Sequence, residues 1–324
     1  MQCTVSSFEN NVIKVNGDTK TISGCISPET IQFNGTISNI DVKNQDIQDL
    51  NYGAVQRISS NFRIDFSNTN IRSIRAGAFL DLPQLAGITV VGNELFWINE
   101  NAFQDLPWLN RVDLSYNKIT DVSPRAFNNL PNLYNVSFYG NRLGHFDQSW
   151  FYKTPDLGIL SLAYNRLRRI PQDAFTHLPA IRALWLNSNE IQFIEKYAFK
   201  GLRDLEDLDL SRNKLKSFAF NFYAPSSLHK VYIENNNITY ISDEVLDVIR
   251  SALMLLTIDD NPLQCACLDK VMEWSDAFNI RVPQKELQGS SPICTVPKTN
   301  PNQCLERSDD DFQKGFWVGF ERAR

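Results

Sequence analysis

Few residues of this 324-residue chain could support catalysis. General acid–base chemistry uses a histidine, or a close pair of carboxylates whose pKa values differ. The three histidines, His145, His177 and His229, are far apart in the sequence. Asp207 and Asp209 would face the same side of a strand about 7 Å apart, but only a closed pocket would raise one pKa. The repeat pattern described below predicts an open sheet, so we expect a solvated acidic strip, no enzymatic activity and no cofactor.

The six cysteines are the other residues with possible chemistry, and they lie only near the two ends of the chain: Cys3, Cys25, Cys265, Cys267, Cys294 and Cys304. One interpretation is a zinc site. The spacing argues against it, because C-x-C followed by two distant cysteines is unusual for zinc and no histidine lies near. We therefore predict disulfide bonds and no metal site. Six cysteines allow fifteen pairings, and spacing alone does not choose between them.

Composition limits the possible partners and location. Hydrophobic residues make up 43% and charged residues 21%, which is enough apolar sequence for a substantial core. The net charge of -5 argues against a basic nucleic-acid binder, so no nucleic-acid partner is expected. No apolar run approaches the ~20 residues of a membrane-spanning helix. The chain opens without the charged and apolar regions of a signal peptide, which indicates either a cytosolic protein or a missing signal peptide.

Asparagine recurs at a fixed spacing and defines an internal repeat. Six asparagines lie 24 residues apart, and two more follow after 23 and 25 residues: Asn93, Asn117, Asn141, Asn165, Asn189, Asn213, Asn236 and Asn261. Each stands in the frame L-x-x-L-x-L-x-x-N-x-L, where the alternating leucines predict a short strand. We expect the buried asparagine amide to bond the backbone of its own coil and of the neighbouring one. Gln45 and Thr69 occupy this position in the first two coils, which should be less regular.

A second periodic series supports the same architecture. Phenylalanine recurs every 24 residues at six positions: Phe79, Phe103, Phe127, Phe151, Phe175 and Phe199. These rings should fill the wider half of each coil, on a return segment that is helical or irregular. The repeat phases begin at ten positions: Ile37, Asn61, Leu85, Leu109, Leu133, Leu157, Ile181, Leu205, Leu228 and Leu253. Stacking of about ten coils would bury the apolar face that one coil alone leaves exposed.

The pattern resembles the extracellular leucine-rich repeat family of about 24 residues per repeat, over about residues 37–263. The resemblance implies an α/β fold, a horseshoe-shaped solenoid with a concave parallel β-sheet and disulfide-stapled end caps. It also implies an N-terminal cap (1–36), repeats (37–260), a cysteine-rich C-terminal cap (261–304) and a tail (305–324). Asn261 to Cys267, followed by Trp274 on an expected helix, looks like the C-terminal flank of secreted and cell-surface members. That flank implies the pairs Cys265–Cys294 and Cys267–Cys304, which leaves Cys3–Cys25 at the other end.

Three N-x-S/T triplets agree with an extracellular location, because this sequence is the acceptor for N-linked glycans: Asn34, Asn135 and Asn237. Together with the cysteines they favour a secreted or extracellular protein. Asn135 falls on the expected concave strand, where a glycan would cover part of the surface proposed below.

The outward-facing residues of the strands form the concave surface in this fold, and the central coils place aromatic and acidic side chains there. The candidate partner-binding residues are Tyr116, Tyr139, Ile159, Tyr164, Trp185, Asn187, Asp207, Asp209 and Tyr232. Tyrosine and tryptophan give a large contact area at low entropic cost. We predict a neutral aromatic window beside unpaired carboxylates at Asp207 and Asp209.

The favoured function is a non-catalytic scaffold that recognises a protein or a microbial or cell-surface ligand. The resemblance includes innate-immune recognition factors, Toll-like ectodomains and adhesion proteins. One alternative is a structural matrix component that self-associates, and another is the ectodomain of an adhesion or signalling receptor. In the tail, an acidic run from Asp309 to Asp311 precedes Phe312, Phe316, Trp317 and Phe320. We expect these aromatic side chains to pack on the cap, and an exposed docking segment is the alternative.

Overall fold

A computed structural model describes residue 3 and residues 5–220, 227–283 and 294–307. By internal contacts the chain forms two compact units, residues 1–166 and 167–324. Each unit is described separately below. The acidic and aromatic tail residues from Asp309 to Phe320 lie outside the described residues.

Unit 1 opens with an antiparallel hairpin that starts its inner sheet. Strands β1 (Phe8–Val15) and β2 (Asp18–Gly24) pair with each other, and the short helix α1 (Pro28–Ile31) follows. β1 also pairs antiparallel with β3, and all later strands are parallel. The repeat strands of this unit are β3 (Asn39–Asp41), β4 (Phe62–Asp65), β5 (Leu85–Thr89), β6 (Arg111–Asp113), β7 (Asn135–Ser137) and β8 (Ile159–Ser161).

The return segments of unit 1 are mainly turns and irregular chain, in agreement with the irregular alternative of the prediction, and they carry short strands that were not predicted. Two-residue strands pair in parallel across neighbouring coils: Asp49–Leu50 with Ser73–Ile74, Val55–Gln56 with Phe79–Leu80, Trp97–Ile98 with Asp121–Val122, and Phe103–Gln104 with Phe127–Asn128 and then Phe151–Tyr152. One 3-10 turn, Gln148–Trp150, interrupts them. The physical reason is that equal coil lengths bring equivalent backbone groups opposite each other, so they satisfy one another without forming a helix.

Unit 2 repeats the pattern and ends in two helices. Its inner strands are parallel: β9 (Ala183–Trp185), β10 (Asp207–Asp209), β11 (Lys230–Tyr232) and β12 (Leu255–Thr257). Its outer pairs are Arg169–Ile170 with Phe193–Ile194, and Ser217–Phe218 with Tyr240–Ile241. Helix α2 (Asp243–Ile249) replaces one return segment, and α3 (Cys265–Phe278) carries Trp274 as expected. Each unit is thus a solenoid of stacked turns with a parallel inner sheet.

The asparagines form the predicted hydrogen bonds inside each unit. The side-chain amide of Asn117 donates to the carbonyl of Leu114 in its own coil at 3.0 Å and to that of Val90 in the preceding coil at 2.7 Å. Its Oδ1 accepts from the backbone N–H of Leu95 at 3.1 Å. All eight asparagines of the series are buried. The ladder therefore satisfies backbone groups that the turn out of each strand would leave unpaired.

Thr69 and Gln45, which replace the repeat asparagine in the first two coils, make different contacts. Thr69 is fully buried, and its hydroxyl donates to the carbonyl of Phe66 at 3.0 Å, so it keeps one of the asparagine contacts. Gln45 turns out of its coil, and its Oε1 accepts from the backbone N–H of Val12 at 2.7 Å. The longer side chain thus joins the first coil to the hairpin of the cap.

The end caps carry the disulfides. Cys3 is bonded to Cys25 with a Cα–Cα distance of 5.6 Å. Cys265–Cys294 and Cys267–Cys304 have Cα–Cα distances of 4.8 and 4.6 Å, and these are the pairs that the family resemblance implies. Among the described residues no helix is long and apolar enough to cross a membrane.

Candidate functional site

Three tyrosines of unit 1 contact one another just beyond the carboxyl ends of neighbouring inner strands. The rings of Tyr116 and Tyr139 lie 5.2 Å apart between centroids, and those of Tyr139 and Tyr164 lie 4.8 Å apart. Tyr116 is 60% exposed and Tyr164 is 45% exposed, whereas Tyr139 between them is half-buried. We call these three residues the tyrosine ladder. It brings together three of the residues predicted from sequence.

The backbone of the ladder is strained at two positions. Tyr116 has a φ of 56° and Tyr164 a φ of 55°, which is the left-handed region that side chains other than glycine, asparagine and aspartate rarely adopt. The equivalent positions of the other coils in unit 1 hold residues that tolerate it, whereas Ser188 and Arg212 adopt it in unit 2. The tolerant residues of unit 1 are Asn44, Asn68, Gly92 and Gly140. The left-handed conformation costs a tyrosine about 1–2 kcal/mol. This turn accepts several residue types and does not require tyrosine, so the choice of two exposed rings here points to a role for them.

Gly140 provides the space for the first ring. A Cβ atom at this position would lie 3.1 Å from Cδ1 of Tyr116, closer than ordinary van der Waals contact allows. Gly140 also has a φ of 68°, so a side chain would be strained there for a second reason. The sequence signal for this ring-binding position is Gly140, which occupies the repeat position that holds tyrosine in the preceding and the following coil.

Burial and the two neighbouring tyrosines keep the hydroxyl of Tyr139 protonated. Burial, followed by the hydrogen bond and charge of Tyr116 and then those of Tyr164, raises the pKa of Tyr139 to about 12. At physiological pH the hydroxyl is therefore a hydrogen-bond donor. The tyrosine ladder presents aromatic faces and hydroxyl groups, which suits binding and supplies no base.

We expect the hydroxyl of Tyr139 to titrate near pH 12, well above the ordinary tyrosine pKa of 10.0. NMR of protein labelled with ¹³Cζ-tyrosine measures this directly, and Tyr139→Phe assigns the resonance. Tyr116→Phe removes one hydrogen bond and should move the midpoint down towards 10.0. The raised pKa contributes stability that is complete below pH 10 and is lost as the pH rises towards 12. A Tyr139 midpoint at or below 10 in the unsubstituted protein would contradict this environment.

The other candidates in unit 1 lie on the inner strands beside the ladder. Ile159 in β8 and Asn135 in β7 are both half-buried and face each other in register. Asn135 is thus on the inner strand as predicted, although its glycosylation stays a prediction. Of the other two triplets, Asn34 is exposed in a loop, and Asn237 is half-buried in unit 2.

In unit 2 the candidates form rows across neighbouring strands. Trp185, Asp209 and Tyr232 are aligned in one row, and Trp185 is 39% exposed. Asp207 lies in the next row, opposite Lys230. Asn187, just beyond β9, is half-buried. These side chains share the inner face of unit 2.

Asp209 is not the unpaired carboxylate that the sequence analysis expected. Its Oδ1 accepts from the backbone N–H of Ser211 at 2.9 Å and from the Ser211 hydroxyl at 2.7 Å. The same Asp-x-Ser contact occurs at Asp65 and at Asp113. These aspartates close the turn that ends each strand, a structural role that the sequence analysis missed. Its signal was the recurrence of Asp-x-Ser at one repeat position.

Asp207 has a different environment. It is half-buried, and within the described residues its carboxylate makes no hydrogen bond or ion pair. Burial raises its pKa, as does the charge of Asp209 more weakly, while Lys230 acts in the opposite direction. Burial and the nearby carboxylates also raise the pKa of Tyr232. The inner face of unit 2 is therefore acidic and the tyrosine ladder of unit 1 is neutral.

Groups suited to catalysis or metal binding are scattered. Nε2 of His145 lies 3.6 Å from Oδ1 of Asp121 on an outer, solvent-exposed edge, and His177 and His229 belong to other coils. Within residues 5–220, 227–283 and 294–307, no three His, Cys, Asp or Glu side chains are grouped so that they would hold a metal ion.

Comparison with known proteins matches the repeats to one family. The family model Leucine rich repeat matches residues 88–137, 131–191 and 182–238. The chain is similar to a protein chain in the crystal structure of the mouse RP105/MD-1 complex, with 20% identity and a TM-score of 0.65, covering 83% of this chain and 46% of that one. It is also similar to a chain in the TLR13-ssRNA13 complex, with 22% identity, a TM-score of 0.46 and coverage of 62% and 33%. It thus spans less than half of either structure. No curated protein matches the chain.

Proposed function

We propose that this chain, which is built of leucine-rich repeats from residue 88 to residue 238, is a non-catalytic extracellular scaffold that binds a partner through its inner face. The partner is a protein or a microbial or cell-surface ligand, and recognition in innate immunity is the setting we favour. The observation that carries the proposal is the tyrosine ladder. Two strained and exposed tyrosines occupy positions where the other coils of unit 1 have asparagine or glycine. The turn itself does not require tyrosine, and a binding role accounts for the exposure of both rings.

The disulfides support an extracellular location. All six cysteines are paired, and disulfides persist in oxidising compartments. In the solved mouse RP105/MD-1 complex, a protein of the same fold is bound to another protein. That arrangement supports a protein as the partner here.

Affinity capture from the extracellular fluid of the source tissue, quantified by mass spectrometry, tests the proposal. The double variant Tyr116→Ala/Tyr164→Ala should lose the specific partner by about tenfold or more, since buried interface tyrosines each contribute about 1–2 kcal/mol or more. The matched control is Tyr152→Ala, which removes a tyrosine that is exposed on the outer side of the same unit. Equal retention by all three proteins, or equal loss in both variants, would contradict binding through the inner face.

A further inference from the structure

A row of exposed and half-buried side chains runs beside the tyrosine ladder, and its charge changes sign along unit 1. It holds the residues two positions after each left-handed residue: Asp46, Asn70, Glu94, Lys118, Arg142 and Arg166. The acidic side chains belong to the earlier coils, and the cations belong to the coils that carry the tyrosines. The ladder is therefore bordered by positive charge.

The partners of this row leave two cations available. The carboxylate of Glu94 is bonded to the ammonium of Lys118, and the amide of Asn70 donates to Asp46 at 3.3 Å. Arg142 and Arg166 are both exposed, and their guanidinium groups have no ion pair or hydrogen bond within the part of the chain that the structure describes. Two guanidinium groups are thus free to bind an anion.

The chain geometry places the backbones of these two arginines near the ladder. Arg142 follows two residues after Gly140, against which the ring of Tyr116 lies, and Arg166 follows two residues after Tyr164. Cα atoms two residues apart are separated by no more than about 7 Å. The backbone N–H of Arg142 donates to Ile119, and that of Arg166 donates to Leu143, each at 2.9 Å. The backbones of both arginines are therefore held close to the rings, within reach of their long side chains.

The inner-face residues next to the ladder do not cancel this charge. The strand positions beside it are neutral: Asn135, Ser137, Ile159 and Ser161. The nearest inner-face carboxylate in the coil of Tyr116 is Asp113, which is bonded to Ser115 and lies 3.0 Å from the guanidinium of Arg111. The surface formed by the tyrosine ladder, Arg142 and Arg166 is aromatic and positively charged, although the whole chain has a net charge of -5.

We infer that the tyrosine ladder, Arg142 and Arg166 together bind an acidic segment of a partner protein, an inference that rests on the proposed function and specifies its partner. A guanidinium binds a carboxylate through two parallel hydrogen bonds. The protonated tyrosine hydroxyls donate to carbonyl or carboxylate oxygens, and the rings cover apolar side chains. Tyrosine and arginine are also the residue types that dominate binding energy in protein interfaces.

A protein segment fits this surface better than a nucleic acid. Two unpaired cations would neutralise few phosphates, whereas nucleic-acid binding of useful affinity typically neutralises about 6–10. A carboxylate-bearing peptide needs one or two such contacts. The chain's negative net charge would also repel a long polyanion.

Selection of a random peptide library, displayed on phage, on the purified full chain tests the inference. We expect the enriched peptides to carry aspartate or glutamate, and to bind Arg142→Gln/Arg166→Gln at least tenfold more weakly than the unsubstituted chain. The charge-matched control is Arg72→Gln/Arg75→Gln, which removes two exposed arginines elsewhere in unit 1 and should leave the affinity within twofold. Arg142→Lys keeps the charge but loses the planar fork, so it should give an intermediate loss.

The outcomes separate this inference from the proposed function. Peptides that depend on Tyr116 and Tyr164 but not on the two arginines would overturn the acidic partner and leave the inner-face scaffold standing. Peptides that depend on neither set would overturn both. Failure to enrich acidic peptides, an equal loss in the charge-matched control, or tighter binding of a single-stranded dT oligonucleotide than of any peptide would also overturn the inference.

Discussion

Replacement of Phe127 by alanine is expected to lower the free energy of unfolding by about 3–5 kcal/mol, because the truncation removes a large buried ring and leaves a cavity. Phe127 is fully buried, and its ring stacks on Phe103 at 5.1 Å and on Phe151 at 5.0 Å between centroids. Phe138 contacts it edge-on at 5.9 Å. Urea unfolding followed by fluorescence and circular dichroism measures the change.

The matched control is Phe96→Ala in the same unit, whose ring is 58% exposed. Its loss should stay within about 0.5 kcal/mol, as for most exposed substitutions. Comparable losses in the two variants would mean that the phenylalanine series does not hold the coils together. Since repeat stability depends on contacts between neighbouring coils, a loss at Phe127 should also destabilise the coils that hold Phe103 and Phe151.

The repeat fold could be predicted from sequence because the same physical requirement recurs in every coil. The apolar positions of the frame and the eight asparagines are buried where the 24-residue period places them, from Asn93 to Asn261. A requirement that recurs eight times is visible even when one position deviates. Thr69 shows the tolerance, since its hydroxyl keeps a backbone bond in place of the amide.

The short parallel strands of the return segments could not be predicted in the same way. Phenylalanine and leucine there are compatible with either a helix or an extended chain. The outcome depends on whether the backbone bonds within its coil or to the next coil, as Phe103 does with Phe127. Whether the backbone bonds within its coil or to the next coil depends on the stacking distance of whole coils. No local residue pattern in the sequence indicates the outcome.

For the candidate site, the residue types could be predicted from sequence, but their hydrogen bonds, pKa values and backbone conformations could not. The sequence places Asp207 and Asp209 alike, yet Asp209 is bonded to Ser211 and Asp207 has a raised pKa without such a contact. The exposed aromatics at Tyr116 and Tyr164 were predicted, but their left-handed backbone was not. Gly140 shows the reason, since a missing side chain gains meaning only when a neighbouring ring occupies its space.

In unit 1 an exposed residue with a strained backbone stands directly beside a buried asparagine that forms several hydrogen bonds. Tyr116 takes the costly left-handed conformation directly before Asn117, whose amide holds three backbone groups. The rigid ladder of asparagines is what keeps such a tyrosine in place without local collapse of the turn. Stability of the asparagine ladder is therefore a condition for the geometry of the proposed binding surface.

Replacement of one asparagine of the buried series, Asn141→Ala, is expected to lower the free energy of unfolding by about 1–3 kcal/mol, the cost of leaving one buried backbone N–H unpaired. The N–H of Ile119 loses its acceptor, whereas the carbonyls of Leu114 and Phe138 each lose one of two amide donors and keep those of Asn117 and Asn165. Oδ1 of Asn141 accepts from the N–H of Ile119 at 3.0 Å, and its amide donates to the carbonyls of Leu114 at 2.9 Å and Phe138 at 3.0 Å. Urea unfolding and hydrogen exchange at the Ile119 amide measure the effect.

Two further variants distinguish the loss of a buried asparagine of the repeat series from the loss of any side-chain amide. Asn132→Ala removes an exposed amide that donates to Pro107 at 2.6 Å, and water replaces that bond, so its loss should stay within about 0.5 kcal/mol. Asn141→Thr should fall between the two variants, because a threonine already fills the equivalent position at Thr69 and keeps one of the backbone bonds. Equal effects of Asn132→Ala and Asn141→Ala would show that burial of the amide does not matter. A threonine variant as unstable as the alanine variant would show that Thr69 is tolerated only because of its contacts with the adjacent coil.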